Sequence, residues 1–113
     1  MPVLMNVLSI TQGDVLELGM GLYSTPYLHW ACFGKRKLVS YDNDPKYISI
    51  NKQFEDEFHE VHFVDDWDKA EIEKPWDVVL VDHAPAERRI VEIKRLANFA
   101  KYIVVHDTQK IND

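Results

Sequence analysis

A chain of 113 residues, 46% hydrophobic and 28% charged, is long enough for one core and has the balance of an ordinary globular protein. Its formal net charge of −6 argues against broad phosphate-backbone binding, so nucleic acid is not an expected partner. A single cysteine, Cys32, rules out an intrachain disulfide and a cysteine-built metal cage. No apolar run approaches the ~18 residues of a membrane span and no leader pattern is read at 1–13, so no membrane association is expected and the cytoplasm is the expected compartment.

In chain order, Val3, Leu4, Val7 and Leu8 recur at a helical period and predict a helix over 2–10, ended by Gln12-Gly13. The strand Val15–Leu18 runs into Gly19 and Gly21. A helix over about 26–33 follows, with Ser24 or Thr25 as N-cap, Pro26 at its first position and Gly34 past its end. Lys37–Tyr41 predicts a second strand ending at Asp42. Asp44-Pro45 then opens a helix to about Glu57, with Tyr47, Ile50, Phe54 and Phe58 on one stripe. A third strand over 60–64 ends at Asp65-Asp66-Trp67. The clearest strand, Trp76–Val81, is apolar on both faces, as a central parallel strand must be, and ends at Asp82-His83. Pro85 opens a helix carrying Ile90, Ile93, Ala97 and Ala100, and Tyr102–Val105 is a last strand ending at His106-Asp107-Thr108. Lys35-Arg36-Lys37 is expected just past a helix C-terminus, where cations complement the dipole.

Alternating strands and helices imply a doubly wound parallel α/β sheet of about five strands, Rossmann-like, in the order 3-2-1-4-5 within a single domain spanning 1–113. Every strand then delivers acidic or polar residues to one edge: Glu17 and the glycines, Asp42, Asp65-Asp66, Asp82-His83 and His106-Asp107. Ligands of open α/β sheets bind outside the carboxyl ends of the strands, where the strand order reverses. Asp42 follows Gly21 by 21 residues, close to the ~20-residue spacing of a carboxylate that grips ribose hydroxyls. Such a carboxylate also repels a 2′-phosphorylated nucleotide.

At these positions the chain resembles the class I S-adenosylmethionine-dependent methyltransferases. The resemblance rests on VLELGMGLYST (15–25), LVSYDNDP (38–45), FVDDW (63–67), DVVLVDHAP (77–85) and YIVVHDT (102–108). Glu17 before the glycines, and Ser24 where a dehydrogenase fingerprint has Gly or Ala, favour this family over nicotinamide-dependent reductases. The resemblance implies that Glu17, Gly19, Gly21 and Ser24 hold the methionine part of S-adenosylmethionine. It puts Asp42 and Asn43 at the ribose, Asp65, Asp66 and Trp67 at the adenine, and Asp82 and His83 under the transferred methyl.

A closer resemblance is to the catechol-type, metal-assisted O-methyltransferases, whose fourth strand ends in Asp-His and whose fifth ends in Asp-Asn. It implies a Mg²⁺ site at Asp82, Asp107 and Thr108, with Thr108 in place of the asparagine. Pro85 occupies the position of that family's lysine base, so His83, His106 or a carboxylate, Asp82 or Asp107, takes the proton. The implied function is methyl transfer to a small-molecule hydroxyl. The alternative is a cofactor-binding module without activity of its own, or a subunit completed by a partner. Two strands usual after the fifth are not found in the sequence, so a homodimer through the fifth-strand edge is expected.

Overall fold

A computed structural model of the protein describes residues 2–106. Among these residues four α-helices and five strands follow in the order α1 (Pro2–Ser9), β1 (Val15–Leu18), α2 (Ser24–Cys32), β2 (Leu38–Asp42), α3 (Pro45–Asn51), β3 (His59–Phe63), β4 (Trp76–Val81), α4 (Arg89–Leu96) and β5 (Ala100–Val105), with only a 3₁₀ turn over Trp67–Lys69 between β3 and β4. All neighbouring strands pair in parallel, in the order β3-β2-β1-β4-β5. This is the Rossmann-like α/β architecture and strand order expected from the sequence. Among the described residues, no helix is long and apolar enough to cross a membrane.

Period-two alternation splits the strands between two core layers. Leu16 and Leu18 join Val39, Tyr41, Val79 and Val81 on one face, covered by Leu96 of α4, Trp67 and Ile72. Val15 joins Leu38, Val78 and Leu80 on the other, covered by Leu4 and Val7 of α1 and Leu28 and Cys32 of α2. Cys32 is a core residue. Arg36 is drawn into the structure rather than left on a basic surface. Its guanidinium donates to Gly13 O at 2.6 Å, Leu8 O at 3.0 Å and Thr11 Oγ1 at 2.7 Å, and so ties the end of α1 to the start of β1.

Several boundaries differ from the sequence reading, the helix expected from Pro85 among them, which begins at Arg89 after a 3₁₀ turn over Ala86–Arg88; three others have a visible reason. Helix α2 begins at Ser24, and Tyr23 is its N-cap without a side-chain cap bond. Ser24 and Thr25 do not cap because both hydroxyls donate to the buried Glu17 carboxylate instead. Helix α3 ends at Asn51 and tightens into a 3₁₀ turn over Lys52–Phe54, so Phe58 lies beyond the helical stripe. The N-cap expected at Asp44 does form, with its side chain accepting from Lys46 N–H at 2.9 Å. Strand β5 begins two residues early, at Ala100, because Trp76 and Ala100 already pair in the β4–β5 ladder.

Candidate functional site

The strand order reverses between β1 and β4, and a cleft of about 410 Å³ opens at the carboxyl ends of β1, β2 and β4. That volume lies within the few hundred to ~1,000 Å³ of small-ligand sites. Met20–Ser24 form one wall, Asp42–Asp44 and Tyr47 a second, and Asp82, Ala84, Arg89 and His106 a third.

The glycine turn is built by close approach. Gly19 has φ +90°, and a Cβ there would sit 2.5 Å from the Asp82 carbonyl group, so only glycine lets β1 leave the sheet against the end of β4. Gly21 N–H donates to Thr25 Oγ1 at 3.0 Å. Asp42 ties this turn to the next wall. Its Oδ2 accepts from Met20 N–H at 2.6 Å and its Oδ1 from Asp44 N–H at 2.8 Å. Each oxygen keeps a further lone pair for a ligand. Burial raises the Asp42 carboxyl above its ordinary range, against the lowering effect of these backbone donors. Across the cleft, Asn43 Nδ2 donates to Ala84 O at 3.0 Å, closing the far end.

The third wall holds an acid–imidazole pair. His106 Nδ1 lies 3.1 Å from Asp82 Oδ2. A carboxylate only accepts, so Nδ1 carries the hydrogen and Nε2 is left as a base. The imidazole is 38% exposed, which keeps that nitrogen within reach of a ligand. Arg89 fixes the pair from the other side. It donates to His83 O at 2.7 Å and His106 O at 3.2 Å, and its Nη2 stands 3.5 Å from Asp82 Oδ1.

Of the residues expected at a site, Gly21, Ser24, Asp42, Asn43, Asp82 and His106 line this cleft. Others lie elsewhere. Glu17 is fully buried beneath the turn, where it accepts from Ser24, Thr25 and Ser40 hydroxyls rather than facing a ligand. Gly19 shapes the turn from behind. His83, expected under a transferred methyl, is instead 1% exposed, with Nε2 bonded to Glu92 Oε1 at 2.9 Å and its ring against Trp67. Burial lowers its basicity, outweighing the Glu92 carboxylate. Trp67, expected to stack on a base, is 3% exposed and donates Nε1–H to Ala84 O at 2.9 Å. It anchors the loop that Asn43 touches from the front. Asp65 pairs with Lys69, and Asp66 caps a 3₁₀ turn over Trp67–Lys69, so both stay outside the cleft. Asp107 and Thr108 lie outside the described residues.

Tyr47 and Arg89 are among the lining residues that the sequence does not mark as a site. Both sit in the first turn of a helix that follows a strand end, and helical side chains lean toward the helix N-terminus. That lean carries them over the carboxyl edge of the sheet. Tyr47 also fits the apolar period of its helix, which hides this placement in the sequence.

Asp82 is the one member of the expected Mg²⁺ set among the described residues. Its carboxylate already faces a guanidinium and an imidazole. The described residues hold no group of three or more His, Cys, Asp or Glu side chains placed for a metal ion. Comparison with protein-family models, curated proteins and solved structures finds no match.

Proposed function

We propose that the protein binds S-adenosylmethionine in this cleft and transfers its methyl group to a small-molecule hydroxyl. One observation carries the reading. Asp42, Asp44 and Asp82 line the cleft against a single guanidinium, Arg89, at the switch point of a doubly wound sheet. An acceptor-rich, net-negative cleft suits a polyhydroxyl ligand with cationic groups and repels a polyphosphate. The ribose diol and the sulfonium of S-adenosylmethionine have that chemistry. The pyrophosphate of a nicotinamide cofactor does not.

When bound, S-adenosylmethionine supplies a methyl on an electrophilic sulfonium. The protein's own residues do the rest. Asp42 accepts from the ribose hydroxyls with the lone pairs left by Met20 and Asp44. Tyr47 offers the aromatic face in place of Trp67. His106 Nε2 takes the acceptor's proton as general base, and Asp82 holds the imidazole in the productive tautomer and stabilises its charged form. Arg89 holds Asp82 in place. Aligning the acceptor with the methyl along one line is the remaining contribution of the walls.

The test is transfer of labelled methyl from S-adenosylmethionine to a panel of phenols and catechols. His106→Gln should lower turnover by about 10²–10⁴-fold with cofactor affinity retained. Unchanged turnover would remove His106 from the chemistry. A cofactor-binding module completed by a partner is the second reading, favoured by Leu22 and Tyr23, which stand 58% and 86% exposed on the cleft wall. Tight cofactor binding with no transfer to any acceptor on the panel supports it.

A further inference from the structure

The cleft gives a use to the carboxylates at the strand ends, but not to Glu17. A glutamate at the centre of the sheet, fully buried beside Val15, Leu38, Val78 and Leu80, is costly to ionise. Its register neighbours are Leu80 on β4 and Ser40 on β2. Ser40 Oγ lies 2.8 Å from Glu17 Oε1 and 2.9 Å from His59 Nε2. His59 Nδ1 lies 3.1 Å from His29 Nδ1 on α2. His29 Nε2 faces Asp56 Oδ2 at 3.9 Å, and Asp56 is 31% exposed. Ser40, His59 and His29 are themselves buried, and the rings of Trp30, Phe33 and Phe54 enclose His29. At the other end, Ser24 Oγ in the cleft wall donates to Glu17 Oε2 at 3.0 Å. A hydrogen-bonded thread therefore runs from the cleft wall at Ser24 to His29, and the half-exposed Asp56 carboxylate stands 3.9 Å beyond its outer end.

Such a thread has two self-consistent directions. With Glu17 ionised, Ser40 donates to Glu17, His59 Nε2–H donates to Ser40, and His29 Nδ1–H donates to His59 Nδ1. His29 Nε2 is then bare. With Glu17 protonated, Glu17 donates to Ser40, Ser40 donates to His59 Nε2, and His59 Nδ1–H donates to His29 Nδ1. His29 Nε2–H then points to Asp56. Both directions keep every bond of the thread. They differ by one proton, taken up at His29 Nε2 and delivered to Glu17 Oε1. Each imidazole gains a hydrogen on one nitrogen and gives one up from the other, and both end neutral.

We propose that Glu17, Ser40, His59 and His29 form a proton relay from the surface at Asp56 to the floor of the cleft, whose reversal switches the charge beneath the glycine turn. Proton affinities along the thread agree with that direction. Burial pushes the Glu17 carboxyl up to about 7, with a smaller push from Asp42 and against its three hydroxyl donors. Burial and then His29 push His59 down to about 4, against Asp56 and Glu55. A proton entering at neutral pH therefore rests on Glu17. The remaining titratable neighbour, Cys32 on α2, stays a thiol because burial raises it to about 11. From β4 and α1 the same face receives only Leu80, Val78, Leu4 and Val7. The relay needs no ligand and stands apart from the methyl-transfer reading.

The experiment is a pH titration of the ¹⁵N-labelled protein by NMR, reading which nitrogen of each imidazole carries hydrogen, with the Glu17 carboxyl carbon followed in parallel. As pH rises through about 7, His59 should move its hydrogen from Nδ1 to Nε2 and His29 from Nε2 to Nδ1, at the midpoint of Glu17. Glu17→Gln should abolish the midpoint and leave both tautomers constant. Ser40→Ala should leave Glu17 titrating while the imidazoles no longer follow. Two results overturn the relay: wild-type imidazoles that keep one tautomer or become imidazolium across that range, or imidazoles that still switch in Ser40→Ala.

Discussion

Two glutamates lie at zero exposure on opposite faces of the same sheet, and the structure treats them in opposite ways. Glu92 on α4 meets guanidinium and imidazole donors: Arg88 Nε at 2.9 Å and Nη2 at 2.8 Å, Arg95 Nη1 at 3.0 Å and His83 Nε2 at 2.9 Å. Burial alone would raise its carboxyl, but these donors win and hold it below the ordinary range. Glu17 meets only hydroxyls, and burial wins, raising it to about 7. The kind of partner, rather than the depth of burial, decides whether a core carboxyl is a fixed anion or a titrating group. Glu92 is accordingly a staple. Through Arg95, which also donates to Trp67 O and Ala70 O, it pins α4 to the loop behind the cleft.

The largest expected effect comes from breaking the staple. Glu92→Ala leaves the buried His83 Nε2 without its acceptor and removes the charged bonds from two arginines, which keep only Asp68 and Glu73 as carboxylate partners, and should cost about 3–5 kcal/mol in urea unfolding. A loss comparable to an exposed ion pair would mean that the arginines swing free to solvent. The next is a difference in pH dependence. The folded state binds the Glu17 proton more tightly than the unfolded chain does, so this group's stabilisation is complete below about 4.5 and is lost as pH rises to about 7. The full swing is on the order of 3 kcal/mol, and Glu17→Gln should flatten it. Glu92 contributes with the opposite sign, present above about 4.5 and lost on acidification through its lowered folded value. Urea midpoints across pH for the two variants separate the slopes, and equal slopes would erase the contrast. Trp67→Phe removes the indole bond to Ala84 O together with part of a buried ring and should cost about 2 kcal/mol. The smallest effect belongs to the exposed Lys37–Glu60 pair, where Glu60→Gln should change stability by about 0.2–1 kcal/mol, less in high salt.

Much of this arrangement is legible in the chain. Apolar runs ending in acidic pairs give the strands, their order and the edge where the cleft opens. Asp42, Asp82 and His106 could be picked out because a parallel sheet brings its strand ends together whatever the tertiary detail. What was not legible depends on contacts distant in sequence. Ser24 and Thr25 have the composition of helix caps, and only the fold brings Glu17 close enough to claim their hydroxyls. His83 follows Asp82 directly, yet one step along an extended chain turns its side chain to the other face, toward Glu92. Trp67 lies next to a strand end but behind the cleft wall. The meeting of Ser40, His59 and His29 has no local signal, since each comes from a different element.

The acid-lined cleft is proposed to take S-adenosylmethionine. Calorimetric titration with S-adenosylmethionine and with NAD tests it most directly. Micromolar affinity for the first, about −8 kcal/mol, and none for the second is the predicted result. Asp42→Asn should then weaken binding by roughly 1.5–3 kcal/mol. Binding of NAD, or no heat with S-adenosylmethionine, would contradict the account and leave the cleft to a different ligand.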